Sequence, residues 1–564
     1  MKRYRRLRDH GMDRRICIHG HFYQPPRENP WLGSVEFQAS AVTHHDWNER
    51  ITSEAYWPNG AARIYNDDMS QAQVVNNYAH MSFNFGPTLL SWMATEARPC
   101  YELILEADRI SRRLFDGHGS AMAQAYNHMI MPLANSRDKF TQIYWGIRDF
   151  EYRFGRSPRG MWLGETAVDL ETLDIMASQG IQFTVLAPGQ AARVRPLNQP
   201  LWRELKGTGI DPRQPYVQKL PSGRNITIFF YDGPLSQGVA FESLLNRGET
   251  FAHRLMEGFT ESSLPQLTHI ATDGETYGHH HRFGEMALAR ALWYLEEQGL
   301  TSVSNYSQFM DLYPPTHAVE IREDSSWSCF HGVERWRSDC GCQTGGDPHW
   351  NQAWREPLRE ALDWLRDHMA AMFEADREGW FEDPWRARND FIEVILEEVT
   401  PLGFMRDQEK RDLSDQEREQ ALKALEAQRL AMFMFTSCGW FFNDLDGIET
   451  HQILLYAARA IELAEEVYGV SLEEEFLERL ERAQSNVETA GSGREIYTRV
   501  VHEARVTAID LARHGGFALD ADQYRSLEFP TEAIRIRDDD VSHGDAGKLW
   551  LGRIEVISRL TGET

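Results

Sequence analysis

Short β-rich runs alternate with longer helical segments through residues 15–312, and this alternation constrains the fold more than any other feature. Repeated strand–helix units build a parallel sheet that is covered by its own helices. The predicted strands span residues 16–21, 81–85, 121–125, 160–163, 183–186, 226–231 and 268–272. Seven such units indicate an α/β fold, a distorted (β/α)7 barrel.

The sequence changes character after the barrel segment. Beyond residue 350, charged segments carry apolar residues at helical spacing, as in 356–373 and 449–467. We therefore predict a mostly α-helical C-terminal domain over residues 351–564. Residues 313–350 are expected to form a connecting loop, which is rich in Trp, Cys and His, and residues 1–14 a basic N-terminal extension.

The net charge restricts the partners of the chain. It has 59 Lys and Arg against 85 Asp and Glu, a formal net charge of −26, which repels nucleic acid and anionic membrane surfaces. No apolar stretch is long enough to span a bilayer, and no signal peptide follows the basic N-terminus. Six cysteines are too few for a disulfide scaffold. We therefore expect a cytoplasmic protein with a neutral ligand and with no nucleic-acid or membrane partner.

Polar and ionisable side chains collect where the predicted strands end. They are His19, His21, Asn84, Asn127, His128, Glu165, Asp232, Asp273 and Glu275. The carboxyl ends of parallel barrel strands meet at one face, which is where barrel enzymes place their active sites. Two carboxylates on such a face, Glu165 and Asp273, are what acid/base and nucleophilic work on a glycosidic bond requires.

The first motif is the run His-Gly-His-Phe-Tyr-Gln-Pro, which begins at His19. Alternate residues of a strand point to the same side, so His19 and His21 are placed together to bind a metal or to hydrogen-bond sugar hydroxyls. Loop histidines that only satisfy the backbone are the alternative. The run resembles the His-x-His-Gln-Pro signature of glycoside hydrolase family 57, here with Phe-Tyr inserted before Gln-Pro.

The second motif, Trp-Leu-Gly-Glu, ends at Glu165 and closes a predicted strand. Taken alone, an acid at this point is more typical of a helix start. The segment is similar to the family 57 motif that carries the nucleophile, in which a Trp precedes the Glu by three residues. The resemblance implies that Glu165 is the nucleophile, and Trp162 is of the right type to form an apolar wall for a sugar ring.

The third motif, Asp-Gly-Glu-Thr-Tyr-Gly-His, covers residues 273–279. Its glycine lets the backbone turn closely, which would place one carboxyl in the cleft and the other beside it; a turn with incidental charges is the alternative. The run resembles the acid/base motif of family 57. The resemblance implies that Asp273 is the general acid/base and Glu275 a supporting or sugar-contacting residue. His279, with His19 and His21, would hold sugar hydroxyls and bias the carboxylate charges.

Weaker matches extend the resemblance. A run around His128 is similar to a His-x-x-x-Pro-Leu segment of the family and implies a substrate contact there. In the helical half, residues 435–444 are similar to a Ser-Asp-Trp-type segment of related members, which makes Trp440 a candidate substrate contact, with buried packing as the alternative. The Ser-Trp-Ser-Cys and Cys-Gly-Cys runs resemble the branch of the family whose C-terminal half is described as a domain of unknown function.

The connecting loop supports two interpretations. Its possible zinc ligands are Cys329, His331, Cys340 and Cys342. Four soft ligands can hold zinc, but a separation of one residue within each pair is less usual than two to four. An aromatic substrate wall formed by Trp327, His331 and Trp336 is the favoured interpretation, and cysteines as small apolar packing residues are a further one. The predicted site therefore contains no metal and no cofactor.

The resemblance implies a retaining enzyme that acts on the α-1,4 linkages of α-glucans. Glu165 would attack the anomeric carbon, and Asp273 would protonate the leaving oxygen and then activate water or an acceptor hydroxyl. Amylase, 4-α-glucanotransferase and branching activities are all represented in the family. The alternatives of another class are a metal-dependent carbohydrate deacetylase that uses His19, His21 and Asp273, and a non-catalytic glucan-binding protein.

Overall fold

A computed structural model of the chain describes residues 13–65, 70–375, 379–507, 509–513, 526–528, 532–544 and 547–562. The chain divides into two compact units. The first comprises the N-terminal segment up to Pro25 together with Gln38–Val333, and the second comprises Pro26–Phe37 and Glu334–Thr564. Of the predicted N-terminal extension, residues 1–12 lie outside the described residues, and Arg14 already belongs to the first strand.

The first unit contains strands and helices in alternation. Its strands are β1 (Arg14–Phe22), β2 (Ala62–Tyr65), β3 (Gln71–Val75), β4 (Ser82–Phe85), β5 (Ala123–Gln124), β6 (Met161–Trp162), β7 (Phe183–Leu186), β8 (Ala191–Pro196), β9 (Arg203–Glu204), β10 (Tyr216–Lys219), β11 (Asn225–Phe230), β12 (Gln266–Asp273), β13 (Ser302–Val303) and β14 (His317–Ile321). Its helices are α1 (Trp47–Ile51), α2 (Trp57–Gly60), α3 (Pro87–Glu96), α4 (Arg98–Leu114), α5 (Ser136–Phe154), α6 (Leu170–Ser178), α7 (Gly233–Phe241), α8 (Gly248–Met256), α9 (Gly284–Glu297) and α10 (Tyr306–Leu312).

The barrel follows the spatial order β12-β1-β4-β5-β6-β7-β11, with all neighbours parallel. Ladders join β12 to β1, β1 to β4, β5 to β6 and β7 to β11. Single bridges, Phe83–Ala121 and Gly160–Phe183, link the remaining neighbours. The amide of Asp232, just after β11, donates to the carbonyl of His269 in β12 at 2.9 Å and brings the last strand back to the first. Each predicted strand is present, and the predicted (β/α)7 barrel is confirmed.

The register of β1 sets one edge of the barrel. His21 lies opposite Asp273 of β12 on one side and opposite Asn84 of β4 on the other. Residues 16–22 of β1 are all buried, as expected for a parallel strand with both faces covered. The carboxyl ends of these three strands therefore meet at one level, which is where the predicted polar residues lie.

An antiparallel extension widens the sheet beside β11. The strand order β7-β11-β10-β14-β8-β9 joins two barrel strands to four others. The sequence analysis predicted none of these four additional strands, and β14 falls within the predicted connecting loop. β14 is paired on both sides, with β10 and β8. The start of the segment that follows β14 is therefore fixed in position.

The second unit is mostly helical, as predicted. Its helices are α11 (Arg355–Ala375), α12 (Pro384–Asp390), α13 (Ile392–Ile395), α14 (Pro401–Gln408), α15 (Asp415–Phe433), α16 (Cys438–Phe441), α17 (Ile448–Tyr468), α18 (Glu473–Leu480) and α19 (Gly493–Ala504). A three-stranded antiparallel sheet follows them, formed by β15 (Ser526–Glu528), β16 (Glu532–Gly544) and β17 (Gly547–Ser558). The helical prediction did not anticipate this sheet.

The segment Pro26–Phe37 packs onto helices of the second unit. The Asn29 side-chain amide donates to the carbonyl of Ala504 at 2.8 Å, and the Trp31 indole donates to Glu462 at 2.7 Å. These contacts join residues more than 400 positions apart, so no local pattern announces them. None of the helices in the described parts of the chain is both long and apolar enough to cross a membrane.

Gly146 marks a close approach between α5 and β5. A β-carbon at Gly146 would lie 2.0 Å from the carbonyl oxygen of Gln124. Helix propensity alone predicts that Gly146→Ala stabilises the protein by about 1 kcal/mol, but the fixed backbone neighbour predicts the opposite. We expect a loss of about 1–3 kcal/mol in the free energy of unfolding, measured by urea denaturation. Gly189→Ala, whose β-carbon meets nothing within 4 Å, is the matched control, and an equally stable Gly146→Ala would contradict the packing argument.

Candidate active site

Glu165 follows β6 in a strained 3-10 turn. Its backbone is left-handed (φ 55°, ψ 21°), and Thr166 next to it also has a positive φ of 52°. Such a conformation costs a residue other than glycine about 1–3 kcal/mol and persists only where the surroundings hold it. Gln190 supplies this restraint, since it accepts from the Thr166 hydroxyl at 2.9 Å and donates to the Thr166 carbonyl at 2.8 Å. The turn therefore fixes the direction of the Glu165 side chain.

Two donors of one loop hold the Glu165 carboxylate. The indole of Trp327 donates to Oε2 at 2.9 Å, and the hydroxyl of Ser328 donates to the same oxygen at 2.5 Å. The Trp327 amide also donates to the Glu165 carbonyl at 3.1 Å. Hydrogen bonds to a carboxylate favour its charged form. The carboxyl group of half-buried Glu165 is thus oriented beside an aromatic ring.

Asp273 ends β12 and faces a different electrostatic situation. The side chain is exposed to solvent, while the protein atoms around its carboxyl group desolvate that group in part. This desolvation, followed by the negative charge of Glu165, raises the pKa of Asp273 to about 7. The two strand-end acids therefore interact, and Asp273 keeps its proton into the neutral range.

Glu275 is a third acid, buried directly beside Asp273. It accepts a hydrogen bond from the Tyr56 hydroxyl and another from the Tyr23 amide at 3.1 Å. Burial, followed by the charge of Asp273, raises the pKa of Glu275 to about 8. Asp273 and Glu275 thus titrate as a coupled pair. Glu275 is 7% exposed, which places it in a supporting position under the site.

The histidines form a buried network with a consistent set of donors and acceptors. Ser82 donates to His19 Nδ1 and His19 Nε2 donates to Asn84 Oδ1, both at 3.1 Å. Asn84 Nδ2 donates to His21 Nδ1 at 2.9 Å, and His21 Nε2 donates to His128 Nε2 at 3.0 Å. Each ring is neutral in this assignment of tautomers, which rests on the network.

Burial keeps these imidazoles uncharged. It lowers the pKa of His19 and of His128 to about 3 and holds the pKa of His21 well below its usual range. At neutral pH, His19 and His21 therefore carry no positive charge that acts on the carboxylates. His19 and His128 are 0% exposed, so in this structure they lie under the site and do not reach its surface.

Aromatic rings stack on this network and form one wall of the site. Trp162 is fully buried and stacks on His19 with ring centroids 4.7 Å apart. Trp327 stands edge-on to Trp162 at 5.2 Å and lies 6.3 Å from Tyr231. Half-buried Trp327, rather than buried Trp162, is therefore the ring that the site presents.

Two other predicted aromatic contacts belong to the core of the second unit. Trp336 and Trp440 are fully buried. The Trp336 indole donates to the carbonyl of Ser437 at 3.1 Å, and the Trp440 indole donates to that of Arg355 at 3.3 Å. The assignments of Trp440 as a substrate contact and of Trp336 to the aromatic wall are therefore corrected: these rings are packing residues whose only polar atom is satisfied.

His279 and His331 lie in different surroundings. The His279 ring pairs with Glu54 and stands edge-on to Trp47, with centroids 6.2 Å apart. His331 is exposed and gathers with Cys329 and the other loop cysteines, all of whose ligand atoms lie within 4.8 Å of one another. None of the six cysteines of the chain forms a disulfide.

Sequence reasoning missed three side chains of this site. They are Glu54, Tyr56 and Ser328. Glu54 and Tyr56 lie on the π-helical turn Thr52–Tyr56, a feature often found at functional sites but without a sequence signature. Ser328 stands in the Ser-Trp-Ser-Cys run that drew attention to the loop, and only its three-dimensional position reveals the bond to Glu165.

Two family models match separate parts of the sequence. Residues 104–322 match the family described as Glycosyl hydrolase family 57, and residues 350–564 match a domain of unknown function, DUF3536. No curated protein matches the sequence significantly.

Two solved structures of known enzymes are similar to this chain in fold. An exo-type maltose-forming amylase from Pyrococcus sp. ST04 is 14% identical, with 91% of this chain and 95% of that chain covered and a TM-score of 0.63. A family 57 branching enzyme from Thermococcus kodakaraensis is 15% identical, with 83% of this chain and 94% of that chain covered and a TM-score of 0.50. At these identities the likeness establishes the fold.

The raised pKa of Asp273 makes stability depend on pH. The folded-state value of about 7 lies above the ordinary value of 3.8, so the folded protein binds more protons than the unfolded chain between these values. Wild type should therefore lose stability relative to Asp273→Asn as pH rises from about 4 to about 7. Calorimetric melting temperatures across this range measure the difference. Asp407→Asn, at an exposed carboxylate on α14, controls for the loss of one surface charge, and a pH-independent difference for Asp273→Asn would contradict the assignment.

Proposed function

We propose that this chain, which belongs to glycoside hydrolase family 57, cleaves the α-1,4 linkages of α-glucans with retention of configuration. Glu165 is the nucleophile and Asp273 the general acid/base. One observation carries the proposal: the charge of Glu165 contributes to the raised pKa of Asp273, while two hydrogen-bond donors orient the Glu165 carboxylate. A pair of acids tuned in this way is the arrangement that double displacement at a sugar carbon needs.

The two acids suit the two steps of the reaction. In the first step, ionised Glu165 attacks the anomeric carbon while protonated Asp273 gives its proton to the leaving oxygen. The resulting ester removes the charge of Glu165, which is one of the causes of the high pKa of Asp273. The pKa of Asp273 therefore falls in the intermediate. Asp273 then acts as the base that takes a proton from the acceptor.

Trp327 links substrate binding to the nucleophile. Its ring and that of Tyr231 supply apolar surface at the site, and the C–H faces of a glucose ring pack against such surfaces. The same indole donates to Glu165 Oε2. A sugar stacked on Trp327 is therefore placed beside the carboxylate that attacks it.

The geometry of the histidines favours the glycosidase over a metal-dependent deacetylase. A deacetylase site would use His19, His21 and Asp273 as ligands. The ring nitrogens of His19 are engaged by Ser82 and Asn84, and those of His21 by Asn84 and His128. These imidazoles therefore act as a rigid support for the aromatic wall.

The acceptor decides between hydrolysis and transfer. Incubation of the purified chain with maltooligosaccharides and with amylose separates the outcomes. New reducing ends indicate hydrolysis with water as the acceptor, redistributed chain lengths indicate 4-α-glucan transfer, and new 1,6 branches indicate branching. Release of acetate from acetylated sugars, lost on chelation and restored by zinc, would instead identify a deacetylase.

Removal of Glu165 should abolish turnover without abolishing binding. We expect Glu165→Ala to lower kcat by about 10⁴-fold or more while calorimetric affinity for a maltooligosaccharide stays close to that of wild type. Glu96→Ala, at an exposed carboxylate on α3, is the control and should keep full activity. If Glu165→Ala turned over at the wild-type rate, Glu165 would not be the nucleophile.

Azide distinguishes the roles of the two acids. With an α-glycosyl substrate that carries a good leaving group, Glu165→Ala lets azide enter from the side that the nucleophile leaves open, and the expected product is the β-glycosyl azide. In Asp273→Ala, azide attacks the covalent intermediate, and the expected product is the α-glycosyl azide. Proton NMR of the products identifies the anomers. The same anomer from both variants would refute the assignment.

The pH profile should report the proton of Asp273. Because this group acts as an acid while protonated and its pKa is about 7, kcat/KM for a glucan should fall as pH rises above about 7. An α-maltosyl fluoride needs little protonation of its leaving group. For Asp273→Ala acting on this fluoride we therefore expect no such decline, and a decline that persisted in the variant would assign the group to another residue.

A further inference from the structure

We propose that Cys329, His331, Cys340 and Cys342 bind one zinc ion that fixes the loop beside Glu165. The proposal goes beyond glycoside cleavage, because the ion would have a structural role in the loop and take no part in the reaction. It rests on the position of four ligand atoms in one stretch of chain, residues 329–342.

The ligand atoms are already gathered. The three sulfurs and one ring nitrogen of His331 all lie within 4.8 Å of one another. In tetrahedral zinc sites, Zn–S bonds of about 2.3 Å and Zn–N bonds of about 2.0–2.1 Å place neighbouring ligand atoms about 3.5–3.8 Å apart. Rotamer adjustments of roughly 1 Å therefore complete the coordination, with no change in the path of the backbone.

The first pair of ligands lies on a tight turn. The amide of Gly332 donates to the carbonyl of Cys329 at 3.2 Å, and the Ser326 hydroxyl donates to the carbonyl of Gly332 at 2.7 Å. Gly332 has a φ of +87°, and a β-carbon there would lie 2.2 Å from the carbonyl oxygen of Asp324. Only glycine fits this position. The sequence therefore specifies the turn that presents Cys329 and His331.

The second pair lies on a turn of the same kind. Gly341, between the two cysteines, has a φ of +77°. The guanidinium of buried Arg355 donates to the carbonyl of Cys342 at 3.0 Å, and the Cys340 amide donates to the carbonyl of Ser338, also at 3.0 Å. Only one residue separates the two ligands of each pair, which is a less usual spacing for zinc. In each pair a turn that contains a glycine with positive φ brings the two ligands to the same side.

The chemistry of the ligands selects zinc. Three thiolates and one imidazole form a closed Cys3His set with no open position for substrate, which is typical of structural zinc. Thiolates prefer soft and borderline metals to magnesium or calcium. Cys329 and Cys342 are buried, while His331 is exposed, so a metal ion can enter from the side of His331.

The position of the site gives it a consequence for catalysis. Trp327 and Ser328, the two donors to Glu165 Oε2, directly precede Cys329. A metal bond at Cys329 restrains both donors. If the proposed nucleophile is correct, loss of the metal lowers turnover through the mobility of Glu165, whereas metal binding itself does not depend on that function.

The direct test measures metal in the full chain. The protein is expressed without a metal-binding tag in zinc-supplemented medium, passed over a desalting column and analysed by plasma mass spectrometry. We expect about one zinc per chain, retained in Cys438→Ser and lost in His331→Gln and in Cys340→Ser/Cys342→Ser. Wild type with no more zinc than the double variant would overturn the proposal.

Cobalt gives a readout that does not depend on activity. Full-length chain prepared with cobalt in place of zinc should show thiolate charge-transfer absorption and the intense visible bands of tetrahedral Co²⁺. Exposed His331 is replaced with little risk to folding, so His331→Gln should fold as wild type and lose these bands. An octahedral cobalt spectrum in wild type, or a disulfide between Cys340 and Cys342 in peptide mass spectra of the freshly purified chain, would refute the site.

Discussion

The repulsion between Glu165 and Asp273 is the interaction on which the active site depends. The three buried imidazoles of the site do not relieve it, because burial keeps His19, His21 and His128 uncharged. A charged imidazole at this place would lower the pKa of Asp273 and remove the proton that the leaving group needs. The aromatic rings that pack on the histidines therefore have an electrostatic effect as well as a steric one, since they exclude the water that would let the histidines ionise.

The fold brings the partners of Glu165 to it by an indirect route. The barrel positions the acids at strand ends, but Trp327 and Ser328 arrive from the segment that follows β14. This strand is held between β10 and β8, and an antiparallel bridge from Val168 to Ser325 then guides the chain toward the site. The antiparallel extension of the sheet is thus part of the active-site scaffold, because it fixes the donors that orient the nucleophile.

The sequence predicted those parts of the structure that depend on local patterns. The barrel strands and the strand-end position of Glu165 and Asp273 follow from alternation and from short motifs, and the described structure contains them. Trp440 was misassigned because an aromatic residue within a polar run has the same local pattern in a core as in a cleft. Tyr56 and the packing of Pro26–Phe37 depend on partners hundreds of residues away, and no spacing rule reaches that far.

The loop after β14 also explains why a metal would be needed. Among its described residues, the stretch 322–354 contains one short 3-10 turn, Glu334–Trp336, and no helix or strand, and the side chain of Phe330 is fully exposed. A segment of this length without regular secondary structure loses much conformational entropy when it becomes ordered. Coordination by Cys329 and His331 together with the Cys340–Cys342 pair closes the loop on itself, and the free energy of metal binding then becomes folding free energy. Such a closure stabilises most strongly the residues next to a metal ligand. Trp327 and Ser328, which donate to Glu165, directly precede the ligand Cys329.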